Sequence, residues 1–545
     1  MAALALGSAP VAALARVSVS DPARTYLQAR AAAMNGDHSR AAQLLASLAE
    51  SQPAQTDLSK KALSEAIGAG QMELALRLAR NVPTTKLPTD ARLLFVADEI
   101  RRGHPERAQP WLQIKADNGD LSFLSPLVGA WAAADHGYID QALSMLDQAP
   151  QNSLPAPLAT EARAFILLKG KRAAEAEPFA RRVVGAAGAR ERRLRLALAD
   201  GFLAAGDRQR ALMIIQGMGD GEGAARQRIM AGKSGGQAID GLPKAFGEVL
   251  IAFASDLTRM QRAAPPVGLV QVARYVNPQN SSATALLALL LAGQDRSAGA
   301  LALLGSVPTS DALISDVRDT QVRILTDDKR LNEAYQIAAS AAASPNADLS
   351  DFSRLGDVLQ SMKRHAAAAD SYGRAIAVAQ AEGLKSELWK QLLLRASALE
   401  DAGRWPEAKA ALQQGLRIAP DEPLLLNFMG YGQLERGENM DSAEAMIRKA
   451  SELAPDDGSI TDSLGWAQFK RGKVSEAIAT LQQAAEKDPE QSEIQEHLGD
   501  ALYKSGRRYE ARFAWNAALV TAEDEIASRV KAKLAGGLTP ANAAP

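Results

Sequence analysis

The stretch Ala231-Gly232-Lys233-Ser234-Gly235-Gly236 has the composition of a phosphate cradle. Such loops present backbone N–H groups through glycines, place a Lys on the terminal phosphates and use a Ser or Thr hydroxyl to hold magnesium. They also need a glycine five positions before Gly232, where Gln227 stands, and a strand leading into the loop, which the surrounding helical pattern does not supply. Nucleotide chemistry is therefore not expected there. Of the five histidines, His38, His104, His136 and His365 lie within two residues of a turn, and His497 stands alone on a helix. No two have helical ligand spacing, and no Ser, His and Asp set can be assembled from separate hairpins. The absence of cysteine removes disulfides, thiolate metal sites, cysteine nucleophiles and an acylated cysteine together. No catalytic, cofactor-binding or metal-binding residue is expected, and the chain reads as non-enzymatic.

Lys+Arg of 62 against Asp+Glu of 63 leaves a net charge of −1, which offers no global attraction to nucleic acid. The apolar run from Ala2 to Ala15 is too short to span a bilayer, which takes a helix of about 20 residues, so no transmembrane segment is expected. It has the pattern of a signal-peptide core, with Ala13 and Ala15 as the small residues before a cleavage at Arg16. No Lys or Arg precedes the run, and an alanine-rich first helix is the alternative. On the first reading residues 1–15 are the remnant of a signal peptide and the protein is periplasmic; on the second it is cytoplasmic.

The elements that would position any site are legible as a repeat. The chain is 47% hydrophobic but only 5% aromatic, so alanine supplies much of the apolar surface and helices can approach closely. Turns on Gly followed by a polar residue recur at Gly36, Gly70, Gly103, Gly137, Gly170 and Gly206, and a second series runs Gly293, Lys329, Lys363, Gly403, Gly437, Gly472 and Gly506. Most intervals are 33 to 36 residues. A small residue follows most turns by five positions, as at Ala41, Ala75, Ala298, Ala408, Ala477 and Ala511. The turn residue is expected to take the left-handed conformation that ends the first helix, and the small residue to sit where the second helix crosses it. Pro420, Pro455 and Pro489 then stop the second helix.

These landmarks resemble the tetratricopeptide repeat, a helical hairpin of 34 residues with Leu-Gly, Ala and Pro at fixed places. The likeness is closest where Leu464, Gly465, Ala477, Leu481, Ala484 and Pro489 fall in the family's slots, followed by Leu498, Gly499, Ala511, Trp515 and Ala518. The resemblance implies an all-α solenoid of about 14 hairpins in a right-handed superhelix. It would comprise an N-terminal degenerate array at 22–217, a glycine-rich interruption at 218–246 that cannot sustain a helix, and a C-terminal array at 247–520 with its best match at 389–520. A capping helix and flexible tail at 521–545 complete it. The segment 424–472 is also similar to long tetratricopeptide proteins of the alphaproteobacterial cell envelope.

In that family the first helix of each hairpin lines the concave surface. Positions there that packing does not fix are Asn427 and Tyr431, then Asp462, Trp466 and Phe469, then Glu496, Asp500 and Tyr503. Stacked one turn apart, they would suit an extended peptide or a partner helix. Ordinary packing between helices is the other explanation of the aromatics. Some relatives clamp a terminal carboxylate with Lys and Asn at these places. Here Asn427 and Tyr431, then Glu493 and His497, stand instead, and acidic groups would repel that ligand. The resemblance implies a scaffold or adaptor that holds proteins or peptides, its partner being a periplasmic protease or an envelope-assembly factor, with a cytosolic co-chaperone or regulatory adaptor as the alternative.

Overall fold

The computed structural model describes residues 21–115, 119–147, 156–219, 221–260, 265–345 and 347–544, so the apolar run at 1–15 lies outside the described residues. The chain divides into two compact units, Met1–Ile337 and Ala338–Pro545. Among the described residues all regular structure is helical. The first unit builds hairpins from α1 (Pro22–Met34) and α2 (His38–Ser51), α3 (Thr56–Gly68) and α4 (Met72–Ala79), α5 (Thr89–Arg101) and α6 (Pro105–Gln113). It continues with α7 (Ser125–Asp135) and α8 (Ile139–Asp147), α9 (Ala156–Lys169) and α10 (Ala173–Ala186), α11 (Glu191–Ala204) and α12 (Arg208–Ile215). After α13 (Glu222–Met230), α14 (Leu242–Met260) and α15 (Val267–Val276) come the hairpins of α16 (Ser281–Ala292) with α17 (Ser297–Gly305) and α18 (Ile314–Asp327) with α19 (Leu331–Ala342), the second unit beginning within α19 at Ala338.

The second unit pairs α20 (Leu349–Ser361) with α21 (His365–Glu382), α22 (Lys385–Asp401) with α23 (Trp405–Ile418), and α24 (Pro423–Glu435) with α25 (Met440–Leu453). It ends on α26 (Gly458–Lys470) with α27 (Val474–Lys487), α28 (Ser492–Lys504) with α29 (Arg508–Thr521), and α30 (Asp524–Gly536).

One hairpin shows why the sequence folds this way. The Asp457 side chain caps α26 by accepting from Ile460 N at 2.9 Å, which satisfies an N–H with no helical partner. At the far end Gly472 sits at φ +78°, and the Lys473 N–H reaches back to Gln468 O at 2.9 Å, closing the helix and reversing the chain. Ala477 is then fully buried at the crossing of α27 with α26. Gly36, Gly70, Gly103, Gly137, Gly206, Gly403, Gly437 and Gly506 repeat the left-handed turn, as do Lys329 and Lys363.

Two turns depart from the expected register. At Gly170 the left-handed residue is the next one, Lys171 at φ +57°, and a Cβ on Gly170 would lie 3.0 Å from the Ile139 side chain, so close approach explains this glycine. At Gly293 the left-handed residue is Asp295, a residue type that tolerates that conformation. Five positions on, Ala300 fills the crossing and Ala298 is exposed, which corrects the expectation for Ala298.

The larger departure lies at 218–280. The glycine-rich stretch carries a helix, α13, and its loop is tied down. The Asp200 carboxylate accepts from Gly235 N and Gln237 N, each at 2.7 Å, so amides of the would-be phosphate cradle serve a carboxylate of the same chain. The chain then turns back. Instead of only stacking on their sequence neighbours, α14 and α15 pack on α3, α5 and α7. Phe253 meets Phe123 edge-on with ring centres 5.8 Å apart, Tyr275 donates to Asp98 at 2.7 Å, and Leu242 N donates to Asp135 at 3.0 Å. Buried Glu248 on α14 accepts from Arg193 at 2.9 Å, Arg190 at 3.2 Å and Asn280 at 2.9 Å. Burial pushes its carboxyl up, but the two guanidiniums outweigh that and hold it below the usual carboxylate range. The cavity left between α7, α9 and α14 measures about 10 Å³, at the floor for a single water.

Two predictions follow from this packing. Ala300→Leu should cost about 1 to 3 kcal/mol by overpacking a crossing, whereas Ala298→Leu should change stability by less than about 0.5 kcal/mol. Thermal unfolding of both variants checks this, and equal losses would contradict the corrected register. Glu248→Ala should cost about 3 to 5 kcal/mol, because it leaves Arg193 and Arg190 facing a buried vacancy. A variant melting like the parent would show that α14 is held by its apolar side alone.

Candidate functional site

In the second unit the first helices α24, α26 and α28 lie side by side, with α30 against α28. The face they share holds every position expected to meet a partner, and the structure distributes those positions unequally. Tyr431, Phe469 and Tyr503 are half-buried, as is Asn427, whose buried Oδ1 has no hydrogen-bond partner. Trp466 is only 1% exposed, so it serves as a floor rather than a protruding anchor. It stacks on Phe469 with ring centres 4.8 Å apart and on His497 at 4.0 Å.

His497, which reads in the sequence as isolated, is the centre of a buried pair. Its Nδ1 lies 2.8 Å from Asp462 Oδ2, while His497 Nε2 and Asp462 Oδ1 have no partner. Burial disfavours the imidazolium, but Asp462 beside it, with Glu493 and Asp500 further off, moves the His497 pKa above its ordinary value. Toward α22 and α24 the face is acidic. Glu400 and Glu435 are both pushed up by burial, against the opposing pull of Arg436.

Glu496 and Asp500 are fully buried, covered by the chain itself. Lys533 on α30, also fully buried, reaches Glu496 at 2.6 Å and Asp500 at 2.7 Å, and Arg529 reaches Glu496 at 2.9 Å. Burial pushes both carboxyls up. At Glu496 the two cations win and the pKa falls, whereas at Asp500 burial prevails and it rises. The sequence carried a signal for this contact: Glu496 and Asp500 are four apart on one helix, as are Arg529 and Lys533 on another, so one turn of each can face the other.

Beyond α30, where a flexible tail is expected, the chain makes defined contacts. Gly537 at φ +81° passes so close to Tyr503 that a Cβ there would meet the Tyr503 hydroxyl at 2.2 Å. Asn542 braces the following turn, donating to Gly537 O at 3.0 Å and accepting from Thr539 N at 2.7 Å. Ala544 then enters the face. Its N–H donates to Asp500 Oδ2 at 3.1 Å, and its methyl joins an apolar cluster with Leu434, Leu464 and Trp466, edged by Tyr431 and Phe469. The arrangement offers main-chain hydrogen bonding to a buried carboxylate beside an aromatic bed. Among the described residues no group of three or more His, Asp or Glu is placed to hold a metal ion, and no helix is long and apolar enough to cross a membrane.

Residues 463–525 match the family model for the tetratricopeptide repeat, a span from within α26 to the start of α30. No curated protein matches the chain. Among solved structures it is similar to the APC/C hetero-tetramer Cut9–Hcn1, at 13% identity over 96% of this chain and 97% of that one, with a TM-score of 0.37. It is also similar to yeast Tom70, at 11% identity over 94% and 95% with a TM-score of 0.37. A tetratricopeptide repeat protein from Parabacteroides merdae is similar at 13% identity over 53% of this chain and 97% of its own, again with a TM-score of 0.37.

The His497 pair predicts a pH dependence. A folded-state pKa above the ordinary histidine value of about 6.5 means the stabilisation is fully present below that pH and is lost as pH rises through the elevated value. Unfolding temperatures of the intact chain measured from pH 6 to 9 should decline, and Asp462→Asn should flatten that decline. Parallel profiles would show that the pair carries no proton-linked stability.

Proposed function

We propose that this protein is a non-enzymatic scaffold that holds extended peptides, or extended segments of partner proteins, on the face formed by α24, α26 and α28. The observation that carries this reading is the seat of Ala544: a buried carboxylate receives a main-chain N–H while aromatic rings bed a small side chain. Contacts of that kind recognise backbone first and side chains second. The tetratricopeptide match over 463–525 supports an interaction role. Tyr431, Phe469 and Tyr503 supply amphipathic contact area of the type enriched at protein interfaces.

The address we propose is the bacterial periplasm, on the strength of the apolar run at 2–15 and the small residues Ala13 and Ala15. The partners are then envelope proteins, with a periplasmic protease or an assembly factor as the enzyme or machine served. A photo-crosslinking residue placed at Tyr431, Phe469 or Tyr503 in cells should capture envelope proteins, and the mature chain should begin at Arg16. Capture of cytosolic proteins alone, with residues 1–15 retained, would refute the address. Replacing Tyr431 and Tyr503 together by Ala should weaken partner capture about 5- to 30-fold, beyond any loss of stability. Equal losses would mark both as packing residues.

A further inference from the structure

The segment after α30 seats itself on the face just described, and its composition is unusual for a structural strap. From Gly537 to Ala544 it has no charged residue and no aromatic one, and its entry into the face is a single alanine. Thr539, Pro540 and Ala541 are exposed, while Ala544 is 4% exposed. The Asn542 brace ties Gly537 to Thr539 and sets the direction of the chain. The segment's apolar anchorage is the Ala544 methyl together with partly buried Leu538, which packs on the cluster around Leu498 and Trp515, a small area to set against the ordering of several residues.

We infer that segment 537–544 is an internal ligand of this face: it occupies in cis the place of an extended peptide with small, uncharged side chains, and a partner of that chemistry binds by displacing it. The inference rests on the peptide-holding role proposed above and names the peptide class. The Ala544 methyl lies within a packed cluster of Leu434, Leu464 and Trp466, where a large side chain would overpack. Asp500 already has Lys533 and the Trp515 Nε1–H, and its remaining demand is met by a main-chain N–H rather than by a cation. Asp500 itself lies against Ala544, so a carboxylate-bearing residue at this place would be repelled by it. A tethered segment competes at an effective concentration that can reach millimolar, and one seated about nine-tenths of the time lowers a partner's apparent affinity about tenfold.

The test uses the full chain and a fluorescein-labelled, C-terminally amidated peptide GLTPANAAP, the sequence of residues 537–545, so that no terminal carboxylate is brought beside Asp500, with fluorescence anisotropy as the readout. Ala544→Glu places a carboxylate beside Asp500 and should expel the segment. Asn542→Ala removes the brace and leaves the face untouched, so it serves if the first variant folds poorly. Each folded variant should bind the peptide at least about tenfold more tightly than the parent chain, and a peptide with Trp in place of the Ala544 equivalent should lose that gain. Folded variants that bind no more tightly than the parent, or that accept the Trp peptide equally well, overturn the inference. If envelope proteins still crosslink to the parent chain while neither variant gains affinity, the holding role stands and the internal ligand falls. If the peptide binds while only cytosolic proteins are captured, the internal ligand stands and the proposed address falls.

Discussion

A hairpin of two short helices cannot bury both sides of its first helix, and each unit of this chain is shaped by what covers the side left over. Stacking against the next hairpin hides the apolar stripe between repeats. It does nothing for the face that the first helices share. In both units that face carries carboxylates, and a buried carboxylate without a partner costs several kcal/mol, so something must either solvate it or bond to it. Here the chain supplies the partner from its own later residues.

The device is the same in the two units, but its strength differs. In the first, Asp200 and Asp135 receive main-chain N–H groups of the loop that leads into α14, and Glu248 on α14 meets two guanidiniums. Phe246, Leu250 and Ile251 go down with it, each contributing about 1.5 to 3 kcal/mol of transfer free energy. That closure is part of the core. In the second, Asp500 receives one N–H from Ala544, and the side chain that follows it into the face is a methyl. The apolar contribution of segment 537–544, from Ala544 and partly buried Leu538, is smaller than that of the three α14 side chains.

Much of the fold was legible because a turn needs a left-handed residue and a helix crossing needs a small one, and both needs leave residue types at fixed spacing. The register slipped where another residue could take the turn, as Lys171 and Asp295 do, because a glycine marks permission for that conformation and not its use. The return of α14 onto α3, α5 and α7 was not legible, since periodicity says which side of a helix is apolar and not which surface covers it. A carboxylate in the middle of the apolar run of α14 was the available hint, and its partners Arg190 and Arg193 lie more than fifty positions away. For the site, the residue types were found and their exposure was not. Asp462, Trp466, Glu496 and Asp500 read in the sequence as surface positions, yet they are buried beside His497, Lys533 and Ala544.

The charge around Asp500 suits a main-chain N–H better than a second carboxylate. Glu496 and Asp500 are balanced by Lys533 and Arg529, so the buried cluster is neutral only while no further anion enters. Asp462 pairs with His497. A main-chain N–H costs nothing in net charge and is available at every residue but proline, so recognition by Asp500 places few demands on sequence beyond small side chains and an extended backbone.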